Sequence, residues 1–388
     1  MRAMPLASVQ AIFDWLVDGA PGAPTPMAVL ERMGPELRAA GVPVERMAAF
    51  VRTLHPSIMG RRFVWNASDG KTQVGEASWE FLQSEIFKRS FIARVFEDGQ
   101  YVRHVLDEKV SSPDLLELKT QGYTDILFCP LHFMGGTCHA ISFATRAPGG
   151  FTADQLDSIK HVVRPLSRVA ETLALMRTAV NLLNAYVGND AGERILKGRI
   201  QRGDTDLIDC VIWFSDLRGF TSLSGERQPK EIIAVLNEFF ECQVPAIESH
   251  GGQVLKFIGD GLLAIFPVKG DAKGVAQNAV KATRRAFDAL TALNVKRGER
   301  KEGPLAFGVA LHLGEVAYGN IGGSSRLDFT AIGPAVNLAS RIESMTGKLG
   351  KQVLVSAPVA NVLETPAKSV GAFELKGITG QTELFEPQ

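Results

Sequence analysis

Along the first fifty or so positions apolar residues recur at helical spacing, as in Val9, Ile12, Phe13 and Leu16. That predicts helices from residue 1 to about 55, with a break at the Pro/Gly-rich run Pro21 to Pro26. From Phe63 to about Ala147 the pattern changes to short β-like runs: Arg62 to Asn66, Phe91 to Glu97, Gln100 to Leu106, Asp125 to Phe133 and Cys138 to Thr145. Turns are expected at Asp98-Gly99 and Gly135-Gly136, so this part reads as a mixed α/β module.

Thr152 followed by Gln155 has the spacing of a capping box. It opens a predicted long helix with Leu156, Ile159, Val162, Val163, Leu166, Val169 and Leu173 on one stripe, and a second helical stretch follows from about Ala179 to Leu196. Such a stripe serves either to pair two subunits or to pack on the domain before it, and the residues leave both open.

From Asp209 the chain alternates strand and helix: a strand at Cys210 to Phe214, a helix at Pro229 to Ser249, and two strands around Gly259-Asp260-Gly261. A helix at Ala272 to Leu293, a strand at Leu305 to Leu313 and a helix at Val336 to Thr346 complete it. The expected organisation is therefore residues 1–175 as an N-terminal domain, 176–204 as a helical linker and 205–388 as a second domain, α+β throughout.

Composition narrows the function classes. Lys+Arg and Asp+Glu number 42 each, which argues against wrapping nucleic acid or coating an anionic membrane. The four cysteines, Cys129, Cys138, Cys210 and Cys242, are too few and scattered for a disulfide framework, and a reducing cytoplasmic setting fits them. Asp14, Asp18 and nearby prolines interrupt the N-terminal apolar residues, and no apolar run reaches the roughly 20 residues of a membrane span.

Candidate chemistry lies in three segments. In Phe214-Ser215-Asp216-Leu217-Arg218-Gly219-Phe220-Thr221 a carboxylate leaves the end of an apolar strand into a glycine-containing turn, whose backbone N–H groups (Leu217, Arg218, Gly219, Phe220) can cradle phosphate oxygens. Lys256-Phe257-Ile258-Gly259-Asp260-Gly261 presents a second carboxylate at a hairpin tip. Two such acids can share a pair of hard cations with a polyphosphate; each taken singly is also explained by turn chemistry. The third segment, Phe329 to Arg341, places Asn337 and Arg341 four apart on one helix face.

Together, in this order and spacing, the three segments resemble the catalytic domain of class III adenylate and guanylate cyclases over roughly residues 205 to 388. The resemblance implies a ferredoxin-like βαββαβ core. It makes Asp216 and Asp260 ligands of two divalent cations, Mg²⁺ or Mn²⁺. It makes Asn337 and Arg341 the pair that orients the ribose and stabilises charge on the α-phosphate, and Lys256 the lysine that reads adenine. Thr330 stands where many adenylate cyclases carry aspartate. A lysine ammonium only donates, which suits adenine N1, and a threonine hydroxyl can accept from the exocyclic amine, so ATP is the expected substrate and cyclic AMP the product. The Lys/Thr pair looks like the class IIIb subgroup. Lys376 lies near the family's lysine for the terminal phosphates, and Arg218 is a further phosphate candidate; a solvated role is as well supported for both. Because the family builds its site between two catalytic domains, the resemblance implies a homodimer, formed through the catalytic domains and linker helices.

Residues 30 to 175 resemble a GAF-type sensor by element order alone, an order that a PAS-like or unrelated module also fits, and the resemblance implies a small-molecule or protein signal of unknown identity. Cys129, His132, Cys138 and His139 fall on two adjacent predicted strands, where small-core roles outweigh metal or haem ligation. The rival readings are a catalytically silent signalling module, a guanylate cyclase, and a cyclic dinucleotide synthase whose Gly-Gly-Asp/Glu-Glu/Asp-Phe type signature is not found.

Overall fold

The computed structural model describes residues 5–53, 58–107, 112–226 and 228–388; the predicted N-terminal helices at residues 1–4 and 54–55 lie outside them. The chain divides into two compact units, Met1–Ala185 and Tyr186–Gln388.

The first unit is built on one antiparallel sheet of β1 (Arg46–Arg52), β2 (Gly60–Asn66), β3 (Thr72–Ala77), β4 (Val102–Val105), β5 (Asp125–His132) and β6 (Cys138–Thr145), in the order β3-β2-β1-β6-β5-β4. Two expectations are corrected here. Arg46–Arg52 is a strand rather than the end of a helix: it pairs on both edges, with β2 and with β6, and those ladders override the local pattern. Phe91–Asp98 is a helix rather than a strand, capped by the Ser90 hydroxyl accepting from Ala93 N–H and ended by Gly99 at φ +62.

Alternation along β5 sends Leu127, Cys129 and Leu131 to one core, shared with the helices Gln10–Val17, Pro26–Ala39 and Ala153–Val187, and Ile126 and Phe128 to a second core with Val95 and Leu115. Thr152 and Gln155 form the capping box, with reciprocal bonds of 3.0 and 3.3 Å. Just before it, fully buried Asp125 accepts from Arg103 at 2.7 Å and from Phe151 N–H at 2.9 Å, which anchors the start of the long helix. The segment expected as a linker is divided: residues 176–187 continue that helix, Gly188 breaks it, and Asn189–Leu196 packs buried Ala191 into the second unit.

In that second unit β7 (Thr205–Leu217), β8 (Gln253–Ile258), β9 (Gly261–Pro267) and β10 (Phe307–Gly322) alternate with the helices Pro229–Ser249 and Ala272–Glu299, giving strand–helix–strand–strand–helix–strand in the order β10-β7-β9-β8. The predicted strand Leu305 to Leu313 is the first half of a 16-residue β10. Both faces of β7 are covered, which is why it reads as a continuous apolar run. Val211 and Trp213 meet Phe239, Phe266 and Phe307 under the two helices, while Cys210 and Ile212 pack with Val316, Tyr318 and Ala339 on the other face. Burying each such large side chain stabilises by roughly 1.5–3 kcal/mol. The sequence reading missed β11 (Leu327–Ile332), which pairs with the end of β10, and β12 (Val353–Ser356), β13 (Lys368–Glu374) and β14 (Gln381–Glu386), which extend the sheet.

Candidate active site

Asp216 is the penultimate residue of β7 and lies opposite Gly261, the first residue of β9, while Asp260 occupies the turn between β8 and β9. Gly259 takes φ +63, which lets the turn close in two residues. A side chain at Gly261 would meet Ser215 O at 3.1 Å and Asp216 Oδ1 at 3.4 Å, so glycine there admits the close approach of the two acids. Burial and the neighbouring Asp260 push the Asp216 carboxyl up to about 6, although Leu217 N–H bonds to it and pulls the other way. Among the described residues neither acid has a Lys or Arg ion-pair partner. A pair of adjacent, half-buried carboxylates without a counter-charge fits divalent cations.

The turn after Asp216 serves phosphate less fully than expected. The Leu217 N–H is directed to Asp216 and the Arg218 N–H donates to Ala306 O at 2.8 Å, which leaves Gly219 and Phe220 at the start of the helix Phe220–Glu226. The exposed Arg218 guanidinium donates to Lys351 O. Lys376 is exposed in the turn that follows β13.

Lys256 and Thr330 come from β8 and β11. Lys256 Nζ reaches Asp328 Oδ2 at 3.0 Å, and Asp328 lies two residues before Thr330 on the same strand face. Thr330 is 3% exposed, yet its hydroxyl has no partner, a buried group awaiting one. Register sets Thr330 apart from the acids along β10: Gly308 lies opposite Asp216 and Gly319 opposite Thr330, eleven residues of strand with a contour of about 36 Å between the two glycines. Lys256 lies at the acid end, opposite Leu263 and four residues before Asp260 on the same hairpin.

Asn337 and Arg341 are exposed on the helix Pro334–Lys348, and their side chains form no hydrogen bond among the described residues. Two residues past Arg341, and so roughly 200° around the helix, Glu343 is buried at 9% exposure. Its carboxylate accepts from Thr346 at 3.3 Å, beside Gly308 and hence beside Asp216. Burial, reinforced by the charges of Asp216 and Asp260, pushes Glu343 up to about 7. Sequence reasoning missed Asp328 and Glu343. The period-two spacing from Thr330 could have exposed the first; no local signal marks the second.

In the first unit Cys129 is fully buried and its thiol is pushed well up by burial. His139 Nδ1 accepts from Arg52 N–H at 3.1 Å and packs on Phe133, and burial lowers it to about 4. Both are accounted for as core groups.

Residues 205–385 match the family described as adenylate and guanylate cyclase catalytic domain. An adenylate cyclase of Anabaena cylindrica is 36% identical over 171 residues, which cover 43% of this chain and 33% of the relative. The terminal-differentiation specific adenylate cyclase of Dictyostelium discoideum is 33% identical over 189 residues, 47% of this chain and 9% of the relative. The crystal structure of the guanylyl cyclase Cya2 aligns at 32% identity and a TM-score of 0.43, over 47% of this chain and 92% of that one. The chain thus spans a third or less of the length of these two curated relatives.

Proposed function

Residues 205–385 belong to the adenylate and guanylate cyclase catalytic domain family, and on that premise we propose that the chain converts ATP to 3′,5′-cyclic AMP and pyrophosphate in a homodimer whose two sites each draw on both copies. The observation that carries this reading is the direction of Arg341: exposed on Pro334–Lys348, it faces away from the side of that helix that Glu343 turns toward the acids of the same chain. Thr330 supports it, because its register position on β10 is eleven residues from that of Asp216. A second copy, arranged head to tail, brings one chain's acids to the other chain's Lys256, Thr330, Asn337 and Arg341.

Asp216 and Asp260 hold the divalent cations. Once bound, these supply charge neutralisation of the triphosphate and acidification of the ribose 3′-hydroxyl. The remaining work belongs to the chain. Lys256 donates to adenine N1, and the unpartnered Thr330 hydroxyl accepts from the exocyclic amine. Guanine, whose N1 is a donor, leaves that lysine unsatisfied, at a cost of about 1–3 kcal/mol. Asn337 holds the ribose so that its 3′-oxygen faces the α-phosphate, and Arg341 balances charge there as pyrophosphate leaves.

The first unit acts as a GAF-like regulatory domain in this reading, supported by its antiparallel sheet with helices on both faces. A cytoplasmic setting is supported by four free cysteines and by ATP as substrate. No helix among the described residues is long and apolar enough to cross a membrane.

The test is turnover of ATP and of GTP by the purified chain with Mg²⁺ or Mn²⁺, beside Asp216→Ala. Cyclic AMP from ATP, lost in the variant, is the expected result. GTP as the better substrate overturns the reading of Lys256 and Thr330, and no turnover of either nucleotide by the chain or by its segment from Asp204 onward overturns the cyclase itself.

A further inference from the structure

The first unit contains a cleft of about 320 Å³ that the catalytic reading does not use. Its walls are apolar: Ala49 and Phe63 from the sheet, Ile141 beside them, and Leu166, Val169 and Leu173 from the long helix Ala153–Val187. Protein interiors are packed with few voids larger than a water molecule. An apolar cleft of this size, near the lower end of the roughly 300–1,000 Å³ typical of ligand sites, suits one slim molecule.

The polar groups of the cleft share one sign. Its lining includes Arg61 and Arg177 and no Asp or Glu. Arg61 gives one guanidinium nitrogen to Glu76 at 2.9 Å, but its Nε is buried with no acceptor. Arg177 is exposed and has no carboxylate partner among the described residues. Arg52, the third arginine of the lining, is turned over the Phe96 ring at 4.6 Å. Thr53 adds a hydroxyl, 3.4 Å from the Asn181 amide nitrogen. A buried N–H donor without an acceptor is rare, and a planar guanidinium edge matches a carboxylate.

We propose that this cleft binds a medium-chain acyl carboxylate, its tail along Phe63, Leu166 and Leu173 and its head on Arg61 and Arg177, and that occupancy sets the rate of the catalytic domain. The second half rests on the cyclase reading above. Its physical basis is the helix: the segment that supplies Leu166, Val169 and Leu173 runs unbroken to Val187, one residue before Gly188 and the start of Asn189–Leu196. A ligand that stiffens or shifts this helix can act on the following unit only through its differential affinity for the two states.

The experiment is calorimetric titration of the full chain with decanoate, dodecanoate and dodecanol, all below their micelle concentrations, followed by turnover with and without saturating dodecanoate. Saturable binding is expected, about fourfold tighter for each methylene added to the chain. Dodecanoate is expected to bind at least about tenfold tighter than the alcohol. Arg177→Gln, at an exposed position where folding is not at risk, and Arg61→Gln should each erode that preference, and Ala170→Trp, which fills the cleft, should remove binding. Equal affinity for acid and alcohol overturns the assignment of the head group. Absence of binding, with Ala170→Trp instead weakening self-association, assigns the cleft to a second copy and overturns the proposal, as does capture by phosphatidylglycerol vesicles without binding of monomeric dodecanoate. Binding that leaves turnover unchanged overturns the regulatory half. Because binding is read directly, a chain that binds dodecanoate but turns over no nucleotide fails the cyclase reading alone.

Discussion

Lys256 Nζ sits 3.0 Å from Asp328 Oδ2, with the two side chains 34% and 65% exposed. An ion pair this open is worth at most about 1 kcal/mol to folding. Its effect lies in holding a flexible four-carbon stem in one place while two further ammonium protons remain for a ligand. Asp328→Ala should therefore leave the melting temperature unchanged and raise KM for ATP by about three- to tenfold with little change in kcat. A lower KM would show instead that Asp328 competes with the base.

Thr330 gives a sharper separation of stability from selectivity. Its hydroxyl is buried and unpartnered, so Thr330→Val removes an unmet polar group while keeping the side-chain shape. Thermal melting should show a fold as stable as the parent or slightly more so. kcat/KM for ATP should fall about tenfold and that for GTP should fall less. Equal losses on both nucleotides would remove Thr330 from base reading.

Glu343 makes the cation-free protein pH-sensitive. Its folded-state carboxyl is raised to about 7, against an ordinary value near 4.3. The stability it contributes is therefore full below about pH 4 and is lost as pH rises through about 7. Glu343→Gln keeps the shape and removes the titration. In the presence of a chelator, variant and parent should melt together near pH 4, and the variant should melt at a higher temperature at pH 8. Parallel melting curves across that range would mean that folding does not shift the Glu343 carboxyl.

The split site predicts complementation. Asp216→Ala and Arg341→Ala should each be inactive alone, because every site in either homodimer lacks a required group. Mixed in equal amounts and allowed to exchange, half of the dimers hold one copy of each, with one of the two sites intact, so about a quarter of parental activity should return. A mixture as inactive as its components would place both residues in a site made by one copy.

Much of this site was legible in the sequence because its parts are local. Asp216 ends an apolar strand, Asp260 stands between two glycines, and Asn337 and Arg341 share a helix face. What was not legible depends on chain segments meeting from far apart. Asp328 matters only because β11 approaches β8, and Glu343 only because its helix packs on Gly308 opposite Asp216. The same division explains the fold. Pro229–Ser249 was predicted to the residue because the proline at its first turn and Gly251-Gly252 beyond its end are local signals. Arg46–Arg52 was misread because its state is set by partners on both sides. Phe91–Asp98 is a plain misreading, since Ser90 and Gly99 mark its ends and Phe91, Ile92, Val95 and Phe96 already recur at helical spacing.

The length of β10 between Gly308 and Gly319 also bears on how such a gene can change. Asp216 and Thr330 sit far enough apart along β10, and Arg341 faces away from the acids, so that a mutation disabling one group leaves the other's surroundings intact. After a duplication, one copy can lose its acids and the other its Lys256 and Arg341, and the pair retains one working centre. A self-sufficient homodimer is thereby open to becoming an obligate partnership of unlike subunits, with the vacated second centre free to take on another ligand.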